Sequence, residues 1–337
     1  MPLWISEADI VALMDMREAI DALEKGLLAE ARGEARNMVK THVEWGEGAT
    51  LHAIGAVFEQ EGFAGTKTWA HTPGGATPLL ILYDAATGSL KAIVEAFALG
   101  QMRTAGASGV ATRWLAAEDA DEFAIVGTGK QALTQVGAVL AVRPIRRVRV
   151  FGRDPQRREQ FAKRVGSELG VEATPADSIA EALRDARIVT VVTRATEPIV
   201  SSEMCAPGTH INAIGAIVPS RAEIASDMLA RCTRVVADSV PQAQKLSREM
   251  IAHFGADPKG WSTVESLAQL VSARRMRSSS DDLTLFKSLG MGISDLSLGI
   301  ELYRRAVASG AGREFAHPKK SAPRLRAVEP MNTPTGA

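Results

Sequence analysis

The stretch Glu122-Phe-Ala-Ile-Val-Gly-Thr-Gly-Lys-Gln-Ala132 decides the fold. An apolar run enters Gly-x-Gly-x-x-Ala, and a segment with helical periodicity follows. In that order the residues describe a parallel strand, a tight turn and a helix whose amino end faces a pyrophosphate. Gly127 permits the turn, Gly129 lets the backbone approach phosphate oxygens without a Cβ in the way, and Ala132 is small enough for the helix to pack close to the strand. Thr128 and Gln131, in the same turn, count with the glycines as cofactor-binding candidates.

Glycine-rich turns also occur in α/β proteins that hold no nucleotide, so the surroundings carry the argument. Ala132, Leu133, Val136, Val139 and Leu140 fall on one helical face, and the strand-like run Arg147–Phe151 comes where a βαβ unit needs it. Similar runs recur at Ile188–Thr193, His210–Gly215 and Val235–Asp238, a doubly wound α/β rhythm. Thr193, closing one of them, is a further cofactor candidate.

Cofactor choice is read at the tip of the second strand, Arg149-Val-Phe-Gly-Arg-Asp154. An acid there accepts the ribose hydroxyls of NAD. Here Gly152 stands at the tip with Arg153 next, which makes room for a 2′-phosphate and offers it a guanidinium, so NADP is favoured over NAD. A register slip of two would instead put Asp154 in the acceptor's place.

At 337 residues the chain is long enough for two domains. Lys plus Arg and Asp plus Glu each number 39, so the net charge is zero and the electrostatic case for nucleic acid or an acidic membrane surface is absent. No apolar run approaches bilayer-spanning length, and the start Met-Pro-Leu-Trp-Ile-Ser-Glu lacks the basic and apolar regions of a signal peptide; a cytoplasmic location is expected. Cys205 and Cys232 lack CxxC spacing and the histidines lack HExxH spacing, so no metal is expected.

Outside the α/β rhythm the pattern changes. Ser6 with Asp9 reads as a helix start, and Asp15–Gly33 carries apolar residues at helical spacing. Between 38 and 97, the runs Leu51–Phe58, Phe63–Trp69, Pro78–Tyr83 and Leu90–Ala96 partly alternate and are punctuated by glycine, which predicts a mostly antiparallel sheet. Residues 98–117 read as a small-residue connecting helix, and Asp295–Ser309 as an amphipathic helix closed by Gly310. The tail, with Lys319, Lys320, Arg324 and Arg326 among prolines, reads as a solvated terminus.

Five strings occur in one order: Phe63-Ala-Gly-Thr-Lys67, Tyr83-Asp-Ala-Ala-Thr-Gly88, Gln101-Met-Arg-Thr-Ala-Gly-Ala-Ser108, Gly127-Thr-Gly-Lys-Gln-Ala132, and Phe286-Lys-Ser-Leu-Gly290 ahead of Asp295. Together they resemble the ornithine cyclodeaminase and mu-crystallin family of dinucleotide-dependent enzymes. The resemblance implies a homodimer with a Rossmann doubly wound parallel sheet over residues 117–294. A discontinuous α+β domain, residues 1–116 with 295–337, would bind substrate and make the dimer contacts. It also implies chemistry at the α-carbon of a small-molecule amino or imino acid, either deamination through internal oxidation and reduction, or reduction of a C=N bond.

On that resemblance Lys67 and Arg103 are the catalytic candidates. Lys67 points at the reacting nitrogen and can donate a proton if burial lowers its pKa. Arg103, at the start of the connecting helix, can grip a carboxylate through its planar fork. Thr104 beside it meets cofactor phosphate. Lys40 departs from the family, standing where a second carboxylate-binding arginine is usual, so a planar fork becomes a single ammonium. Trp69 and His71 are expected to shape the substrate pocket, with Thr77 nearby.

A second departure bears on the reaction. The cyclodeaminase branch places a catalytic aspartate after the strand written here as Ile211-Asn-Ala-Ile-Gly-Ala216, and this chain has Ile217. Isoleucine cannot accept a proton. Unless Glu223 or another acid substitutes, the expected activity is NAD(P)H-dependent reduction of a small imino acid, as in ketimine reductases. The alternatives are an NAD-dependent ornithine cyclodeaminase-type lyase and a mu-crystallin-like dinucleotide-dependent binding protein.

Overall fold

Two sheets organise the chain. The computed structural model describes residues 1–325; Arg326 and the remaining tail lie outside the described residues. The first sheet begins with β1 (Leu3–Ile5), β2 (Ala35–Asn37), β3 (Thr41–Trp45), β4 (Ala49–Phe58), β5 (Phe63–Thr72), β6 (Gly75–Ala76), β7 (Leu79–Asp84) and β8 (Leu90–Glu95). The second holds β9 (Glu122–Val126), β10 (Arg147–Phe151), β11 (Glu172–Pro175), β12 (Ile188–Val191), β13 (His210–Ala213), β14 (Cys232–Ala237), β15 (Glu265–Ser266) and β16 (Leu283–Lys287). A last strand, β17 (Arg313–Glu314), returns to the first sheet beside β1.

The first sheet has the order β17-β1-β8-β7-β5-β4-β2, with β3 on β4 and β6 on β5. Only β1 with β8 is parallel; the other pairings are antiparallel. β4 and β5 pair along their full length, setting Ile54 opposite Lys67 and His52 opposite Trp69. Since alternate residues share a face, Lys67, Trp69, His52 and Ile54 stand on one side of the sheet.

The second sheet is parallel throughout, in the order β11-β10-β9-β12-β13-β16-β14-β15. Its order reverses between β9 and β12, the switch point outside whose strand ends a doubly wound fold binds ligands. β12, β13 and β16 are buried residue for residue, as befits strands covered on both faces. The strand β16 was not expected from the sequence. It ends in a lysine, follows an Arg- and Ser-rich loop, and sits between β13 and β14, out of chain order.

Helix ends follow local chemistry. Ser6 and Asp9 form a reciprocal capping box before the Glu7–Leu13 helix, and Asp15 with Glu18 does the same for Met16–Ala31. The connecting helix runs Phe97–Leu115. The helix expected from Asp295 starts at Gly292 and runs to Ser309, closed by Gly310 at φ 69°. That earlier start puts Asp295 in its first turn, pointing into the protein. Leu296, Ile300 and Leu302 of this helix join Leu80, Leu82 and Leu23 in one core beneath the first sheet. No helix among the described residues is long and apolar enough to cross a membrane.

Candidate active site

β9 stops at Val126, and Gly127 turns the chain with φ 117°; a Cβ there would lie 2.5 Å from the Val192 carbonyl oxygen. Gly129 is the opposite case, with nothing within 4 Å of the place its Cβ would occupy, so the turn is open on that side. Gln131 caps the Ala132–Leu140 helix, and its buried Oε1 has no hydrogen-bond partner among the described residues. Thr193, just past β12, lays its methyl group beside Gly127. Gly152, just past β10, lies against Thr128, where a Cβ would come within 2.9 Å of the Thr128 methyl.

An open glycine, a helix amino end and an orphaned buried acceptor fit the phosphates and ribose of a nicotinamide dinucleotide. Arg153 is exposed at the same tip. Asp154 serves the backbone instead, since its carboxylate accepts from the Arg157 amide at 3.1 Å and caps the Pro155–Leu169 helix. The strand ends at Phe151, so the register is the one that puts Gly152 at the tip.

The polar centre is built around Asp295, which is fully buried. One of its oxygens pairs with the Lys67 ammonium and also lies 3.3 Å from Arg103 Nε. Lys67 is itself 3% exposed. Burial pushes its pKa down to about 8, with Asp295 resisting and the Arg103 and Lys40 cations assisting. Lys40 feels the same neighbours: burial and Arg103 lower its pKa, while Asp238 and Asp295 oppose them. Lys40, Lys67 and Arg103 are therefore brought together, as their residue types suggest for an anion site.

Arg103 reaches this place because of the turn after β16. Asp238 accepts from the Leu289 amide at 2.9 Å, the Gly290 amide at 2.7 Å and the Ser288 hydroxyl at 3.0 Å. That turn holds Gly290 at φ 86°, where a Cβ would come 2.8 Å from Arg103 Nη1. With Nε facing Asp295 and the flat guanidinium over Gly290, neither Nη makes a hydrogen bond to the described residues, and the fork is free for a carboxylate. The Thr104 hydroxyl donates back to Gly100 O at 2.8 Å, which leaves it only lone pairs to offer a ligand.

A row of rings borders the cluster. Lys67 Nζ lies 5.2 Å from the centre of the Trp69 ring, Trp69 stacks on His52 at 4.6 Å, and His52 stacks on His42 at 5.5 Å. His71 is exposed at the far end of the same face. Burial first, then Lys40, His42 and His71, push the pKa of His52 down to about 4, so its ring is neutral at ordinary pH.

Sequence reasoning missed Asp295 as a site residue, Asp238 as a support and His52 as the neighbour of Trp69. Only the β4–β5 register points to His52. Glu223, considered above as a replacement acid, is corrected here: both of its oxygens are occupied by Thr193, Gly215 and Ala216. It has no free lone pair with which to stand in for the aspartate absent at Ile217.

An open dinucleotide cradle, with a buried lysine and a free arginine fork at the carboxyl end of the same parallel sheet, defines a nicotinamide-dependent oxidoreductase acting on small carboxylates. The chain belongs to the ornithine cyclodeaminase/mu-crystallin family, whose model matches residues 3–310. It is 31% identical over 239 residues to a Delta(1)-pyrroline-2-carboxylate reductase of Bacillus cereus, covering 70% of this chain and 73% of that protein. Its fold is similar to that of the Thermococcus litoralis Delta(1)-pyrroline-2-carboxylate reductase in complex with NADH and L-proline, with a TM-score of 0.86 and 29% identity over 93% of this chain and 100% of that one. An archaeal alanine dehydrogenase dimer with bound NAD matches with a TM-score of 0.84 and 26% identity, over 94% of this chain and 99% of that one.

Proposed function

We propose that this protein reduces a small imino acid with a nicotinamide dinucleotide, the reverse direction being amino-acid oxidation. The observation that carries the reading is Asp295 holding Lys67 and Arg103 side by side while the Arg103 fork stays free. Arg103, with Lys40 as a second cation, holds the substrate carboxylate and so fixes the C=N bond. Lys67, whose pKa of about 8 keeps its proton within reach of transfer, protonates the imine nitrogen. The dinucleotide, when bound, supplies the hydride. Asp295 retains the ammonium in place, and Trp69 forms the wall beside it.

The finer parts of the reading rest on particular residues. A preference for NADPH over NADH is supported by Gly152 and the exposed Arg153 at the tip of β10. Arg153→Ala should weaken NADPH binding by about 1.5–3 kcal/mol, the worth of a charge-assisted hydrogen bond, with NADH nearly unchanged; equal loss for both dinucleotides would refute this assignment. A homodimer is supported by an apolar face on β3 and β4, where Val43, Trp45 and Leu51 are 58%, 47% and 45% exposed. The separate sheets support a division into residues 1–116 with 295–337 and residues 117–294.

The test of the reaction is an assay of the purified protein with NADPH and a panel of linear and cyclic imino acids, followed by loss of nicotinamide absorbance. A parallel assay with ornithine and NAD follows ammonia release. Reduction of at least one imine is expected. Ammonia and proline from ornithine, with no imine reduced, overturns the reading.

A further inference from the structure

Glu223 is fully buried and accepts four hydrogen bonds. Its Oε1 takes the Thr193 amide at 2.5 Å and the Thr193 hydroxyl at 2.8 Å. Its Oε2 takes the amides of Gly215 at 2.6 Å and Ala216 at 3.0 Å. These groups belong to the turns that leave β12 and β13, on the side of the switch point where the second half of a dinucleotide lies. The fit is close: a Cβ on Gly215 would lie 2.0 Å from the Thr193 carbonyl oxygen and 2.5 Å from Glu223 Oε1.

Burial raises the Glu223 pKa, and the Lys287 ammonium with the Thr193 and Gly215 donors works against it in favour of the carboxylate; the three amides can only donate. Behind it, the Glu223 amide donates to Glu249 Oε1 at 2.7 Å, and Glu249 Oε2 lies 2.7 Å from Lys287 Nζ. Lys287 is fully buried and Glu249 nearly so. Lys287 is thus the single buried cation beside two buried carboxyl groups, Glu249 and Glu223. On the solvent side Arg194 is exposed, and Arg221 is partly exposed and within electrostatic reach of Glu223, a weaker compensation than a buried cation gives.

We propose that Glu223 is a positioning residue that fixes the Thr193 and Gly215–Ala216 turns under the nicotinamide half of the cleft, and that its charge favours the oxidised, cationic ring over the reduced, neutral one. A bound dinucleotide would supply the hydride to the imine carbon and be left with one positive charge on its ring, while Lys67 would supply the proton to the nitrogen. The Glu223 carboxylate behind the turns would stabilise that product state and, with it, hydride donation. This inference rests on the dinucleotide reading above.

The experiment measures dissociation constants of NADP+ and NADPH for the purified full chain by fluorescence titration, with thermal unfolding to verify the fold of each variant. Glu223→Gln keeps the size and removes the charge, and should shift the ratio of the two constants against the oxidised form on the order of tenfold. Glu223→Asp keeps the charge and withdraws it from the turns, so both constants should rise together with their ratio unchanged. Equal weakening of both dinucleotides by Glu223→Gln overturns the electrostatic role. Should that variant fail to fold, the wild type decides: NADP+ bound more than about tenfold weaker than NADPH overturns the inference. Wild type binding neither dinucleotide overturns the underlying function instead.

Discussion

Lys67–Asp295 and Lys287–Glu249 are the same chemical pair, a lysine on a buried carboxylate, in two settings. Both are sealed from water, with side-chain exposures of 4% and 0% in the first and 0% and 1% in the second. Their surroundings differ in sign. Arg103 and Lys40 add cations to the first pair, and Glu223 adds an anion to the second. The first sits where an arginine fork is left free; the second is closed by Ser247, the backbone and the turns it supports. A buried ion pair alone says little about function. What its neighbours leave unbalanced tells whether it serves a passing anion or holds a wall in place.

Breaking each pair on the lysine side should separate the two roles. Lys67→Met removes the proton donor, and turnover on the best imine should fall ~10²–10⁴-fold. Arg103 remains as a partner for Asp295, so urea unfolding of this variant should stay close to wild type. Activity within a few fold of wild type would dismiss Lys67 as the donor. Lys287→Met should do the reverse, leaving Glu249 and Glu223 uncompensated in the interior. Its cost is about 3–5 kcal/mol of stability, read from the urea midpoint. A midpoint like that of wild type would mean that Lys287 does not hold Glu249 as a charged pair.

A pH profile sharpens the comparison with a smaller effect. The donor is the Lys67 ammonium, present below a pKa of about 8, so imine reduction should decline as pH rises through that value, while the reverse oxidation gains. The decline approaches about tenfold per pH unit well above the pKa. Single-turnover rates between pH 6 and 10 measure it, and a flat profile removes Lys67 from the titration.

The dinucleotide half of the site was legible because its signals are local. Gly127, Gly129 and Ala132 lie within one turn, and β9, β10, β12 and β13 fall where apolar runs predict them. Lys67 and Arg103 are single residues whose importance came through family strings, since no spacing joins residues on a strand and a distant helix. Asp295 reads in the sequence as an ordinary acid at a helix start, because its partner is 228 residues away. Glu223, Glu249 and Lys287 belong to types that are normally solvated. Nothing in the chain near them announces burial: Lys287 is enclosed by the pairing of β16 with β13 and β14, and Glu223 by the turns after β12 and β13. His52 likewise acquires meaning from the register that stacks it on Trp69.

The position of β16 has a consequence for the order of assembly. The strand in the middle of one half of the parallel sheet is the last of that sheet to be made, so β14 and β15 have no interior partner until residue 287 exists. The helix that carries Asp295 comes later still. During synthesis Lys67 waits through more than half of the polypeptide before its counter-charge arrives, and the long loop closed by that contact places the substrate site among the slow, non-local events of folding. A chain interrupted before that helix carries the nucleotide cradle but lacks the carboxylate that gathers the lysine and the arginine.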